Sequence, residues 1–162
     1  MKSPDIAHGS FTIERIYNAE PARVFEAWAD PQIKSRWFIG PGDWTPLERA
    51  LDFRVGGQEL LRGRRGSMET LFTARFHSIV PDERIVYVYD MHLSGKHHSL
   101  SLATVEITSA GSGAKLVFTE QVAYLDGTSG ADGTASRKHG TAGHLDRLAG
   151  QFNSADENVS AL

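Results

Sequence analysis

Cysteine is absent from all 162 residues, which excludes disulfide frameworks, thiolate zinc sites, thioredoxin-type redox chemistry and cysteine nucleophiles together. A reducing compartment suits such a chain, and the cytoplasm is the expected location. Long apolar runs are lacking as well. The longest, Ile85 to Tyr89, is far short of the ~20 residues that span a bilayer, and the start Met1-Lys2-Ser3-Pro4-Asp5 has no apolar secretory stretch. Nor is there a surplus of positive charge: 17 basic residues stand against 20 acidic ones. The isoelectric point is near 6.1 and charges of both signs are interspersed, so neither nucleic acid nor a membrane is an expected partner. The glycine runs at Gly111-Ser112-Gly113 and Gly127 to Gly133 lack the lysine of a phosphate loop. His92, His97 and His98 lack metal-ligand spacing, because the adjacent pair points to opposite faces of a strand. No nucleophile elbow is present. No metal, cofactor or catalytic residue is therefore expected.

What is present is periodicity. Phe11 and Ile13 alternate within Phe11 to Tyr17, as in a strand with one wet face. Pro21 to Ala29 places Val24, Phe25 and Trp28 at helical spacing behind a first-turn proline. Asp30-Pro31 then reads as the cap and first turn of a second short helix carrying Ile33 and Trp37. From Trp44 to Tyr124 the pattern alternates between turn signals at Gly56-Gly57, Gly63 to Ser67, Pro81-Asp82, Ser94 to Lys96 and Ser109 to Gly113. Within these runs Leu51, Phe53 and Val55 share a phase, as do Phe72, Ala74 and Phe76. So do Ile85, Tyr87, Tyr89 and Met91, then Ala103, Val105 and Ile107, and finally Leu116, Phe118, Glu120 and Val122. Leu145, Leu148, Ala149 and Phe152 form the stripe of a last helix.

These elements predict an α+β domain over residues 8–152 with flexible tails at 1–7 and 153–162. About seven antiparallel strands have one long helix to cover their apolar face. The sheet is expected to curl around that helix and leave a cavity beside it. Trp37, Phe38, Phe53, Phe72, Tyr87, Tyr89 and Met91 supply the candidate lining, since aromatics offer large rigid apolar area. Glu120 is the charged residue that keeps phase with the interior face. A carboxylate there must be paired, hydrogen-bonded, protonated or wetted, so it either anchors a ligand or pairs with an arginine such as Arg15 or Arg137. His139, near the start of the last helix, is the second polar candidate at the pocket mouth.

Several stretches together resemble one family. They are Val24 to Trp28 with Asp30-Pro31, Arg36-Trp37-Phe38, Leu51 to Gly57, Phe118-Thr119-Glu120-Gln121, and Ser136-Arg137-Lys138-His139-Gly140-Thr141 leading into Leu145 to Leu148. In this order the chain is similar to the START-like (Bet v 1-like, SRPBCC) superfamily, and within it to the family named after the C-terminal domain of the activator of Hsp90 ATPase. The resemblance implies a helix-grip fold, with two short helices after the first strand and space for a small apolar ligand between sheet and last helix. It also brings two alternatives: a polyketide cyclase-like enzyme using the same cavity, and an interaction module of an Hsp90-type chaperone. The chain has no room for the co-chaperone's additional N-terminal domain, so Hsp90 activation is not carried over. The expected state is a monomer or a homodimer.

Overall fold

The computed structural model describes the backbone of residues 2–160 and the side chains as far as Phe152. Its elements run β1 (Ala7–Tyr17), α1 (Pro21–Ala29), α2 (Pro31–Trp37), β2 (Thr45–Leu51), β3 (Gln58–Arg65), β4 (Met68–Val80), β5 (Arg84–Leu93), β6 (Lys96–Ala110), β7 (Gly113–Tyr124) and α3 (Gly130–Ser160). The tail expected at 153–162 falls where no side chain is described. Among the described residues no helix is long and apolar enough to cross a membrane.

Asp30 divides the first two helices as its sequence context predicts. Its backbone N–H closes α1 on the Glu26 carbonyl, and its carboxylate accepts from the backbone N–H groups of Gln32 and Ile33 at 2.8 and 3.3 Å to open α2. Both helices carry proline in their first turn, where a missing N–H costs nothing.

The seven strands form one curved antiparallel sheet in the order β1-β7-β6-β5-β4-β3-β2. Tight hairpins build it from β2 to β7, and β1 then pairs with β7, Phe11 opposite Glu120 and Ile13 opposite Phe118. Because β1 and β2 stand at opposite edges, the link between them crosses the concave face as α1 and α2. The in-phase residues of β4 to β7 are buried on that face, including Phe76, Ile85, Val105, Leu116 and Phe118. Leu145, Leu148 and Phe152 of α3 complete the core from the other side, with α3 lying against β1 and β7. Burying such side chains stabilises the fold by roughly 1.5–3 kcal/mol each.

One stretch departs from the expected alternation. Strand β2 ends at Leu51, and Phe53 and Val55 lie in the turn before β3, with Val55 exposed. Gly56 adopts a φ of +83° and donates to the Phe76 carbonyl at 2.8 Å. A chain reversing through a left-handed glycine cannot keep a two-residue period, so the shared phase there is a coincidence of composition. The last helix also begins earlier than the glycine-rich run suggests. Ser129 Oγ accepts from the Asp132 N–H at 3.1 Å and caps α3 from Gly130 onward.

Candidate functional site

A cavity of about 500 Å³ lies between the concave face and α3. Its apolar wall is aromatic: Phe72, Tyr87 and Tyr89 come from β4 and β5, and Trp37 and Phe38 from the end of α2. Phe38 packs edge-on against Phe72 at 5.1 Å, and Phe72 lies 4.8 Å from Tyr89. Met91 extends the wall toward the end of β5.

The α2–β2 loop closes one side through Ile39, Pro41 and Trp44. Arg147 of α3 holds that loop by donating to the carbonyls of Trp37 and Ile39 at 3.2 and 2.6 Å. The Trp44 indole rests on Gly40 and Gly63; a Cβ at either position would fall inside the ring. Its N–H donates to Thr70 Oγ1 at 3.1 Å, fixing the ring's orientation.

The other end is polar and centred on Glu120, which is 0% exposed. One carboxylate oxygen, Oε2, accepts from Tyr89 Oη at 2.8 Å, Ser101 Oγ at 2.8 Å and Arg137 Nη1 at 3.1 Å. Arg137 also donates to Ser99 Oγ at 2.7 Å. The second oxygen, Oε1, has no partner. Burial and the neighbouring Glu120 charge raise the Tyr89 phenol far above its ordinary range, so at neutral pH it remains a donor.

Two histidines border the same space. His98 Nδ1 stands 2.7 Å from Asp126 Oδ2, and the opposite oxygen of Asp126 accepts from Thr128 Oγ1 at 2.7 Å. Burial works against the Asp126 charge, but hydrogen bonds from Thr128 and His98 outweigh it and hold the carboxyl well below its usual range. His144 on α3 packs edge-on to Phe38 at 4.9 Å. Its pKa falls from 6.5 to about 4, chiefly through burial and then through the Arg147 charge.

A stability profile follows from His144. Between those two values the unfolded chain holds a proton that the folded chain does not. Stability therefore rises with pH across that interval, and a contribution of ~3 kcal/mol present above the upper value is lost as pH falls to the lower. In urea unfolding from about pH 7 to about pH 4.5, wild type should lose this increment and His144→Gln should show a flatter curve. Parallel curves would mean that His144 titrates freely in the folded state.

Most of the expected lining meets here. Trp37, Phe38, Phe72, Tyr87, Tyr89, Met91 and Glu120 all border the cavity. Phe53 does not; it packs on Phe25 and Phe76 at 5.6 and 5.0 Å, because its segment leaves the sheet. His139 is exposed and absent from the lining. Five residues further along α3 the helix turns inward, and His144 takes that place. Arg137 is the partner of Glu120, while Arg15 is engaged by Asp146 at 3.0 Å. Sequence reasoning missed His144 and Trp44. A usable signal for His144 existed, since it adjoins Leu145 in the stripe that faces the core.

Comparison with known proteins agrees with this fold. The family profile described as Activator of Hsp90 ATPase homolog 1-like protein matches residues 18–153. No curated protein matches the chain. Among solved structures, an uncharacterized Rhizobium leguminosarum protein is 38% identical, with 93% of this chain and 97% of that one covered at a TM-score of 0.86. A Rhizobium loti protein is 43% identical over 90% of this chain and 98% of its own, at a TM-score of 0.80. DynU16, a protein of the dynemicin biosynthetic locus, shares the fold at 18% identity and a TM-score of 0.67, matching 94% of this chain and 49% of DynU16.

Proposed function

Because this chain belongs to the Activator of Hsp90 ATPase homolog 1-like family, within the START-like fold, we propose that it binds one small, mainly hydrophobic molecule between the sheet and α3. The observation that carries the reading is the pairing of an aromatic wall with a buried polar cluster around Glu120 in a space of about 500 Å³. Pockets that hold small molecules are mostly apolar with a few fixed polar groups, and span roughly 300–1,000 Å³. The polar groups are fixed by other parts of the fold: Glu120 by three donors, and Trp44 by Thr70. A rigid wall of this kind binds without the ordering cost of a mobile one.

Native mass spectrometry of the protein purified under gentle conditions tests this directly. A bound mass of small-molecule size is expected, lost on partial unfolding and regained on adding back the extract. A protein that carries nothing and takes up no apolar compound from a broad panel would defeat the proposal.

One observation favours a second reading, a polyketide cyclase-like enzyme in the same cavity. The His98 imidazole borders the space with Nδ1 turned to Asp126, which leaves Nε2 free to take a proton from a bound molecule. Turnover of the co-purified molecule, abolished by His98→Gln while binding persists, would select this reading over simple carriage.

A further inference from the structure

The outer face of the sheet has no covering layer. All three helices pack on the concave side, so the opposite side chains of β4 to β7 point away from the core. The centre of that outer face is nevertheless apolar: Leu100 and Leu102 of β6 are 42% and 39% exposed, beside Val86 and Val88 of β5. A wet sheet face is ordinarily polar, and a contiguous apolar patch marks a contact surface. A shallow hollow of about 650 Å³ opens among Val88, Leu100, Leu102 and Gln121, giving the relief into which facing side chains interdigitate when sheets stack. Along β5 the outward residues run Arg84, Val86, Val88, Asp90, two apolar side chains bracketed by opposite charges. That order is complementary to itself when reversed. From this geometry we infer that a second copy of the chain docks on this face with the two β5 strands running in opposite directions, so that Asp90 of each copy meets Arg84 of the other. The contact is independent of whether the cavity is filled.

Charge and area both suit a second copy. Arg84 donates to Ser78 Oγ at 3.3 Å and, although Glu106 stands opposite it in the sheet, pairs with no carboxylate among the described residues. Asp90 has the His97 imidazole at 3.7 Å and no lysine or arginine partner among them. Six strands at ~4.8 Å spacing, and the ~20 Å from Arg84 to Asp90, give roughly 600 Å² in projection, which side-chain relief brings toward the ~800 Å² each partner contributes to a standard interface. The sheet edges do not offer the same opportunity. Strand β2 carries Pro46 and a register shift before Glu48, both of which interrupt strand addition. At the other edge α3 crowds β1 so closely that a Cβ on Gly130 would lie 2.6 Å from the His8 carbonyl oxygen. A lipid surface is a poor occupant, because Asp90 and Glu106 stand beside Arg84 where a basic excess would be needed.

Sedimentation equilibrium of the full chain at neutral pH tests this. Wild type should sediment at twice the 17.8 kDa chain mass and dissociate on dilution. Leu102→Lys sets a cation in the apolar centre and should weaken the dimer by roughly tenfold or more. Arg84→Asp alone makes two acids face each other at both ends of the paired strands and should weaken it by a similar factor. Exchanging the charges, Arg84→Asp/Asp90→Arg, should restore wild-type affinity, because the reversed pair is again complementary. A wild type that stays monomeric at its highest soluble concentration, bare or carrying a peptide or lipid on this face, would overturn the assignment. A dimer indifferent to Leu102→Lys would overturn it too, as would one that the charge exchange fails to rescue. Were Leu102→Lys to fail to fold, the two charge variants, both at the solvent side of β5, would decide.

Discussion

Replacing Arg137 by Met should cost about 3–5 kcal/mol of stability, the usual penalty for leaving a buried carboxylate without its counter-charge. For a chain of this length each kcal/mol moves the melting temperature by roughly 2–4 °C, so a fall of about 10 °C or more is expected in a thermal scan. The reason lies in the burial of the pair: the Glu120 side chain is 0% exposed and that of Arg137 13%. In Arg137→Met the Tyr89 and Ser101 hydroxyls still reach Oε2, but neither carries charge. The double variant Arg137→Met/Glu120→Gln should recover more than half of the loss, because a neutral amide can accept from both hydroxyls with no buried charge to compensate. A single variant that loses under about 1 kcal/mol would show that the pair behaves as an exposed one.

The second large effect is expected at Lys34→Met, which should also cost about 3–5 kcal/mol. Lys34 Nζ lies 2.6 Å from Glu59 Oε1, and each side chain is only 3% exposed. This contact ties α2 to β3 behind the aromatic wall. The ammonium also stands over the rings of Phe38 and Trp28, at 4.8 and 5.3 Å, a placement that adds cation–π attraction once water is excluded. Methionine keeps the aliphatic stem and removes the charge, so it isolates the electrostatic loss. In Lys34→Met/Glu59→Leu no charge is left stranded, and urea unfolding should return to within about 1–2 kcal/mol of wild type. A double variant as unstable as the single one would mean that the cost came from lost packing.

Both predictions turn on partnerships that the sequence does not display. The strands from β4 to β7 were legible because a half-buried sheet imposes a two-residue period, and Glu120 stood out by keeping that period while carrying charge. Its partner was harder to choose. Arg15 and Arg137 were equally available in one dimension, and only the seating of α3 against β1 and β7 brings Arg137 inward while Arg15 turns to Asp146.

Lys34 shows a different failure. It adjoins Ile33 in a short helix whose apolar positions assign the buried face to Ile33 and Trp37, yet Lys34 is more buried than Ile33. The clue was Glu59, which keeps phase with Leu61 in β3 and calls for a cation from a facing element. Phe53 and His139 were misplaced for local reasons. A left-handed glycine ended one alternation early, and His139, six residues before Leu145, falls on the side of α3 away from the stripe that faces the core. Single-residue phase decides which way a side chain points, and phase is what turns and caps reset.

The tryptophans carry a practical consequence. The chain has three, and Trp28, Trp37 and Trp44 all border the cavity. Trp28 and Trp37 stand in edge contact with ring centres 4.8 Å apart. The protein's entire indole fluorescence therefore originates from one wall, and a guest that displaces water there changes the colour or intensity of the light emitted. Occupancy can be followed optically in the unlabelled protein, and single Trp→Phe replacements would report which part of the wall the guest touches.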